Sequence, residues 1–126
     1  LIRGSKTVFF SGDTRYTPEL ESTLKSAQPD VVLVQAACAH YPFLGNDGMS
    51  LPEAAALVKA IHPRLTVPVH LHCAGKWLDR SSGIRIRRDN QIEVSAALKA
   101  WRAELESEGL GICILGPGEE CKLCEK

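Results

Sequence analysis

The run Val31-Val32-Leu33-Val34 is apolar at every position, and it is bounded by Pro29-Asp30 on one side and Gln35 on the other. A strand this short with no polar face reads as one covered from both sides, which is the usual situation of strands in layered α/β sheets. The surrounding sequence repeats the theme. Lys6 to Ser11 contains Thr7, Val8, Phe9 and Phe10, closed by Gly12, and Thr66 to Leu71 is a third β-rich run. Pro68 within that third run cannot donate to a ladder and points to an edge position or a strand start.

Between these runs the apolar period changes from strand to helix. Thr17 is a good N-cap with Pro18 at the first helical position and Glu19 in the first turn, and Leu20, Leu24 and Ala27 follow at helical spacing up to Pro29. Ser50 and Glu53 form a capping-box pattern ahead of Ala54, Ala55, Leu57, Val58 and Ile61, and Pro63 ends that helix. Asn90 and Glu93 form a second such pattern, after which Val94, Leu98, Trp101 and Leu105 recur every three or four residues up to Gly109. Tyr41 to Gly48 and Ala74 to Gly83 read as loops. Ile84 to Arg87 reads as a brief strand, Ile112 to Leu115 as a final one, Gly116-Pro117-Gly118 as a turn, and Glu119 to Leu123 as a terminal strand. The alternation of strand and helix predicts an α/β layered fold in one domain spanning the 126 residues.

Composition narrows the function classes. Fifteen basic residues balance fifteen acidic ones, so no charge excess favours nucleic acid or a membrane surface. No apolar run reaches the ~18 residues of a membrane span and no signal-peptide pattern opens the chain, which makes the cytosol the default expectation. Five cysteines, an odd number spread through apparent strands and a tail, do not resemble a secreted disulfide framework; reduced thiols are expected. The first residue is Leu1 and the single methionine is Met49, which reads as an unusual start codon or as a piece of something longer.

The chemistry-bearing candidates lie just past strand ends, where ligands gather in α/β sheets. Asp13 follows Thr7-Val8-Phe9-Phe10-Ser11-Gly12, His40 follows the second run, and His70 closes Val67-Pro68-Val69. A carboxylate and an imidazole on one rim are suited to share a metal ion. Taken alone, Gly-Asp-Thr after a strand also serves as an ordinary turn whose carboxylate bonds backbone amides. His72 would share a face with His70 if the strand continued, and strand-end position favours His70 as the ligand. His62, before Pro63, reads as a helix C-terminal residue. Arg85, Arg87 and Arg88 read as a solvated strand face, and Trp77 and Trp101 as core or partner-facing aromatics. Cys121-Lys122-Leu123-Cys124 has redox or half-knuckle spacing but no second ligand pair.

Phe10-Ser11-Gly12-Asp13-Thr14, Pro29-Asp30-Val31-Val32-Leu33-Val34, the Met49 loop with Glu53-Ala54 opening a helix, Val67-Pro68-Val69-His70 and Leu115-Gly116-Pro117-Gly118-Glu119 together carry a resemblance. In order and spacing they resemble the C-terminal half of the metallo-β-lactamase-fold hydrolases, in the branch of lactonase-like and phospholipase-like enzymes. The resemblance implies half of a four-layered αββα sandwich. It also implies that Asp13 bridges two metal ions and that His70 binds one of them. Zinc suits the mixed nitrogen and oxygen donors, with manganese and iron open. The implied reaction is attack of a metal-bound hydroxide on a small-molecule ester, lactone or phosphodiester.

The family's first half carries a His-x-His-x-Asp-His cluster and a further histidine, and this chain has neither; its histidines are His40, His62, His70 and His72. A hydrolytic zinc site needs about three protein ligands per ion, so Asp13 and His70 alone fall short. Three readings follow: part of a metallo-hydrolase, a catalytically silent module that pairs its uncovered sheet with another copy, and a thiol redox domain using Cys121 and Cys124.

Overall fold

The computed structural model describes residues 2–36, 40–41, 45–71, 84–86, 92–116 and 118–121. Along the chain these form β1 (Ile2–Arg3), β2 (Thr7–Phe10), α1 (Pro18–Ala27), β3 (Val31–Gln35), β4 (His40–Tyr41), β5 (Gly45–Asn46), α2 (Leu51–Ile61), β6 (Leu65–Val69), β7 (Ile84–Ile86), β8 (Ile92–Val94) and α3 (Ala96–Ser107). The main sheet has the order β1-β2-β3-β6. β2, β3 and β6 run parallel, with Phe9 opposite Val32 and Val32 opposite Thr66, while β1 is antiparallel to β2. Asp30 starts the ladder: its amide donates to the Thr7 carbonyl and its carboxylate accepts from the Thr7 amide, each at 2.8 Å.

Two helices begin where local chemistry says they should. The Thr17 hydroxyl accepts from the Leu20 amide at 3.1 Å, with Pro18 in the first turn. The Ser50 amide donates to Glu53 Oε2 at 2.8 Å, closing the capping box. His62 takes the left-handed C-cap of α2, its amide donating to the Val58 carbonyl at 3.0 Å.

The helices pack in sequence, α1 on α2 and α2 on α3, and bury one face of the sheet. Val32, Val34 and Thr66 on that face are fully buried, as are Leu57 and Val58 of α2 and Leu98 and Leu105 of α3. Each such aliphatic side chain contributes about 1.5–3 kcal/mol of transfer free energy. The other face alternates out of phase. Val8, Val31, Leu33, Val67 and Val69 are only half-buried, and Phe10 is 53% exposed. The apolar run of β3 is therefore covered on one side only, because all the packed helices lie on the same side.

Several expectations are corrected. Asn90-Glu93 does not cap α3: Ile92–Val94 instead pairs antiparallel with Ile84–Ile86, and Ser95 is the N-cap, its hydroxyl accepting from the Leu98 amide at 3.1 Å. The stretch read as a loop from Tyr41 to Gly48 takes part in a two-residue ladder, Tyr41 opposite Gly45 and His40 opposite Asn46. Ile112 to Leu115 forms no strand but a single parallel bridge between Ile112 and Thr66 on the outer edge of β6. Thr66 spends both backbone groups on that edge, so Pro68, two residues on, turns its donor-less nitrogen the same way, beyond the bridge. Residues 119–121 are not in a strand, and 122–123 lie outside the described residues. Nor are all thiols reduced: Cys113 and Cys121 are joined in a disulfide.

Candidate metal centre

Parallel pairing brings the C-terminal ends of β2, β3 and β6 to one rim. The β2–β3 ladder runs one residue past β2, the Ser11 amide donating to the Leu33 carbonyl at 2.9 Å. The chain then turns back, and the Thr14 amide donates to the Ser11 carbonyl at 3.2 Å. Gly12 makes the reversal with φ of 54°, a left-handed conformation that a side chain would strain. Asp13 is thereby raised over the rim. Below it, the buried Ser11 hydroxyl accepts from the Gln35 amide at 2.8 Å, locking the end of β2 to the end of β3.

On the far side, β6 ends at Val69, whose carbonyl accepts from the Ala36 amide. His70 follows with φ of 59°. Among the described residues, the two other non-glycine residues with positive φ, Gln28 and His62, are helix C-caps, where the left-handed conformation satisfies helical carbonyls. His70 caps no helix. A bulky residue held there stores backbone strain at a strand end, a pattern found where the side chain's aim matters.

The aim is toward the carboxylate. His70 Nδ1 stands 3.0 Å from Asp13 Oδ1, although the two residues are far apart in sequence. Both remain open to solvent, with side chains 48% and 70% exposed. Exposure at that level discounts the pair as a source of stability, since surface ion pairs are worth about 0–1 kcal/mol. At an open rim the Asp13–His70 contact therefore adds little as a structural brace.

Of the other sequence candidates, His40 lies in β4, with its side chain outside the description, and His72, Arg87, Arg88, Trp77 and Cys124 lie outside the described residues. His62 is the C-cap of α2 and leads into the start of β6, at the opposite end of the sheet from the rim. Trp101 is a core residue of α3, 4% exposed. Among the described residues, no group of three or more His, Cys, Asp or Glu side chains converges as a metal cluster would. Sequence reasoning missed the Ser11–Gln35 lock. Its one signal was a serine directly after the apolar β2 residues, a hydroxyl that must find partners when buried; the partner at residue 35 is the backbone amide, which the identity of that residue does not reveal.

No family model matches the chain. Over 70 residues, 56% of its length, it is 41% identical to UPF0173 protein PF0020 of Pyrococcus furiosus, of which those residues make up 29%. Superposition on the solved structure of an isothiocyanate hydrolase from Delia radicum gut bacteria gives a TM-score of 0.65 at 19% identity, covering 95% of this chain and 41% of that one. The fold is of the metallo-β-lactamase type. The chain spans less than half the length of either relative, and at 19% identity the structural likeness carries architecture alone. In this metallo-β-lactamase-type sheet, Asp13 and His70 occupy the rim beyond two parallel strands that flank a third. No helix among the described residues is long and apolar enough to cross a membrane.

Proposed function

We propose that the chain is part of a metal-dependent hydrolase of the metallo-β-lactamase superfamily, attacking an ester, lactone or phosphodiester, with Asp13 and His70 as two of its cation ligands. The observation that carries this reading is the 3.0 Å approach of His70 Nδ1 to Asp13 Oδ1 at an open rim, with His70 held in a left-handed conformation no helix end explains. The donors fit a divalent cation in kind, one carboxylate oxygen and one imidazole nitrogen, and suit zinc first, with manganese and iron next. They fall short in number, so further donors would have to come from outside the described residues. The likeness to an isothiocyanate hydrolase supplies the architecture, and hydrolysis as the reaction class is part of the proposal.

A bound divalent ion supplies Lewis acidity and a nucleophile at neutral pH. This chain's own contribution is to hold the donors still. The turn closed by Thr14 and Ser11 fixes where the Asp13 carboxylate stands, and the contact with Asp13 fixes the rotation of the His70 ring. The buried Ser11 and Gln35 backbone contact beneath them keeps the two strand ends in register.

A second reading has one observation of its own. Phe10, 53% exposed on a half-buried apolar face, favours a catalytically silent module that associates through that face with another copy. One experiment separates the two. Purified protein is analysed for bound metal and assayed on generic ester and phosphodiester substrates with and without chelator. Near-stoichiometric zinc, turnover abolished by chelation, and loss of metal in Asp13→Asn and His70→Ala would support the hydrolase. No metal, no turnover and a concentration-dependent dimer that Phe10→Ser dissolves would replace it with the silent module.

A further inference from the structure

Cys113 and Cys121 carry chemistry that the rim does not use. The Cys113 amide donates to the Thr66 carbonyl at 2.9 Å and the Thr66 amide donates to the Gly111 carbonyl at 2.7 Å, so residues 111–113 lie along the outer edge of β6. Beyond them the chain reverses. The Glu119 amide donates to the Gly116 carbonyl at 3.1 Å, and the Gly116 amide donates to Glu119 Oε2 at 2.8 Å, so backbone and side chain close the same turn. The reversal returns residue 121 to residue 113, with Cα atoms 6.6 Å apart and the sulfurs bonded. That separation lies within the range a disulfide spans without moving the backbone. Access is unequal: Cys121 is exposed and Cys113 half-buried.

We propose that the Cys113–Cys121 disulfide is a reversible redox clasp, which when oxidised holds Cys121 and the reversal closed by Gly116 and Glu119 beside residues 111–113 on the outer edge of β6 and when reduced releases them. Opening needs a dithiol. Its thiolate attacks the exposed Cys121 sulfur, the Cys113–Cys121 bond breaks, and Cys113 leaves as a thiolate that takes up a proton. The second thiol of the reductant then displaces Cys121 from the mixed disulfide, leaving two protein thiols and the oxidised, cyclic disulfide of the reductant. Two electrons pass from the dithiol to the protein. Once open, Cys121 loses its covalent tether to Cys113, and the hydrogen bonds at Gly116–Glu119 and Thr66–Cys113 are no longer braced by that link.

The test uses the whole chain carrying Cys124→Ser, so that this thiol cannot compete for Cys121. The protein is equilibrated with oxidised or reduced dithiothreitol, alkylated and peptide-mapped, and amide exchange is followed in both states. Oxidised protein should yield a linked Cys113–Cys121 peptide, and reduction should raise the alkylated cysteines from two to four of the four that remain. Exchange at the Cys113 and Glu119 amides should become on the order of tenfold or more faster, while Val32 and Val34 in β3 stay protected. Absence of the linked peptide under oxidation, or unchanged exchange at both amides after full reduction, would overturn the proposal.

Discussion

The Ser11 hydroxyl accepts from the Gln35 amide at 2.8 Å and donates to the Gly12 carbonyl at 3.0 Å, so one buried side chain joins two strand ends immediately before the turn that carries Asp13. Ser11→Ala removes the acceptor from a buried amide. Loss of a buried partner costs about 1–3 kcal/mol, which urea denaturation should resolve. If bound metal is measurable in the parent protein, the same variant should hold it less tightly, because the Asp13 turn loses its tether. A change in stability below about 0.5 kcal/mol would mean that water or another group replaces the hydroxyl.

Gly111 sits where a Cβ would lie 2.5 Å from the Arg64 carbonyl oxygen. The obstacle is backbone, held in place by β6, and cannot swing aside as the end of a side chain could. Gly111→Ala should therefore cost about 1–3 kcal/mol through overpacking. Its signature would be loss of amide protection at Cys113 and Thr66, whose hydrogen bonds depend on that close approach, with β2 and β3 unaffected.

Tyr16 donates to the Glu21 carboxylate, which also accepts from Lys25 Nζ at 2.6 Å. The Lys25 bond first and the Tyr16 bond second hold the Glu21 carboxyl below its usual range, and the Glu21 bond raises the Tyr16 hydroxyl above its own. The signs fix a window. Glu21's depressed value gives stability that is present above the ordinary carboxylate range near about 4.3 and lost as pH falls through the lowered value; Tyr16's raised value gives stability present below about 10 and lost at higher pH. Urea midpoints should thus plateau between these limits, and Tyr16→Phe should flatten the alkaline limb. Both groups are solvent-accessible, so the effect should shrink in high salt.

What could be read from sequence follows how local each determinant is. Thr17 and the Ser50–Glu53 box are decided within four residues, and both helices start where those residues place them. Asn90-Glu93 has the same local spacing, yet Ile92–Val94 pairs with Ile84–Ile86, a ladder with a preceding segment that helical periodicity in Val94 and Leu98 does not reveal. The nearness of Asp13 and His70 was legible because parallel crossovers return successive strand ends to one rim. The Cys113–Cys121 link was not: the turn between them was legible, but five cysteines offer several pairings and the odd count pointed to reduced thiols. Coverage of β3 on both faces was misjudged because apolarity records what a strand can bury, not which neighbours arrive.

The one-sided stacking of α1, α2 and α3 ties assembly to chemistry. Phe10 is three residues from Asp13, and Val69 is directly before His70, so the bare side of the sheet runs up to the rim itself. Any body that settles on that side also becomes a wall beside the carboxylate and the imidazole. Enclosure of the Asp13–His70 rim and burial of the oily surface are then a single event, and a solution of the chain with that surface left wet would present this carboxylate and imidazole to bulk water rather than to a cavity.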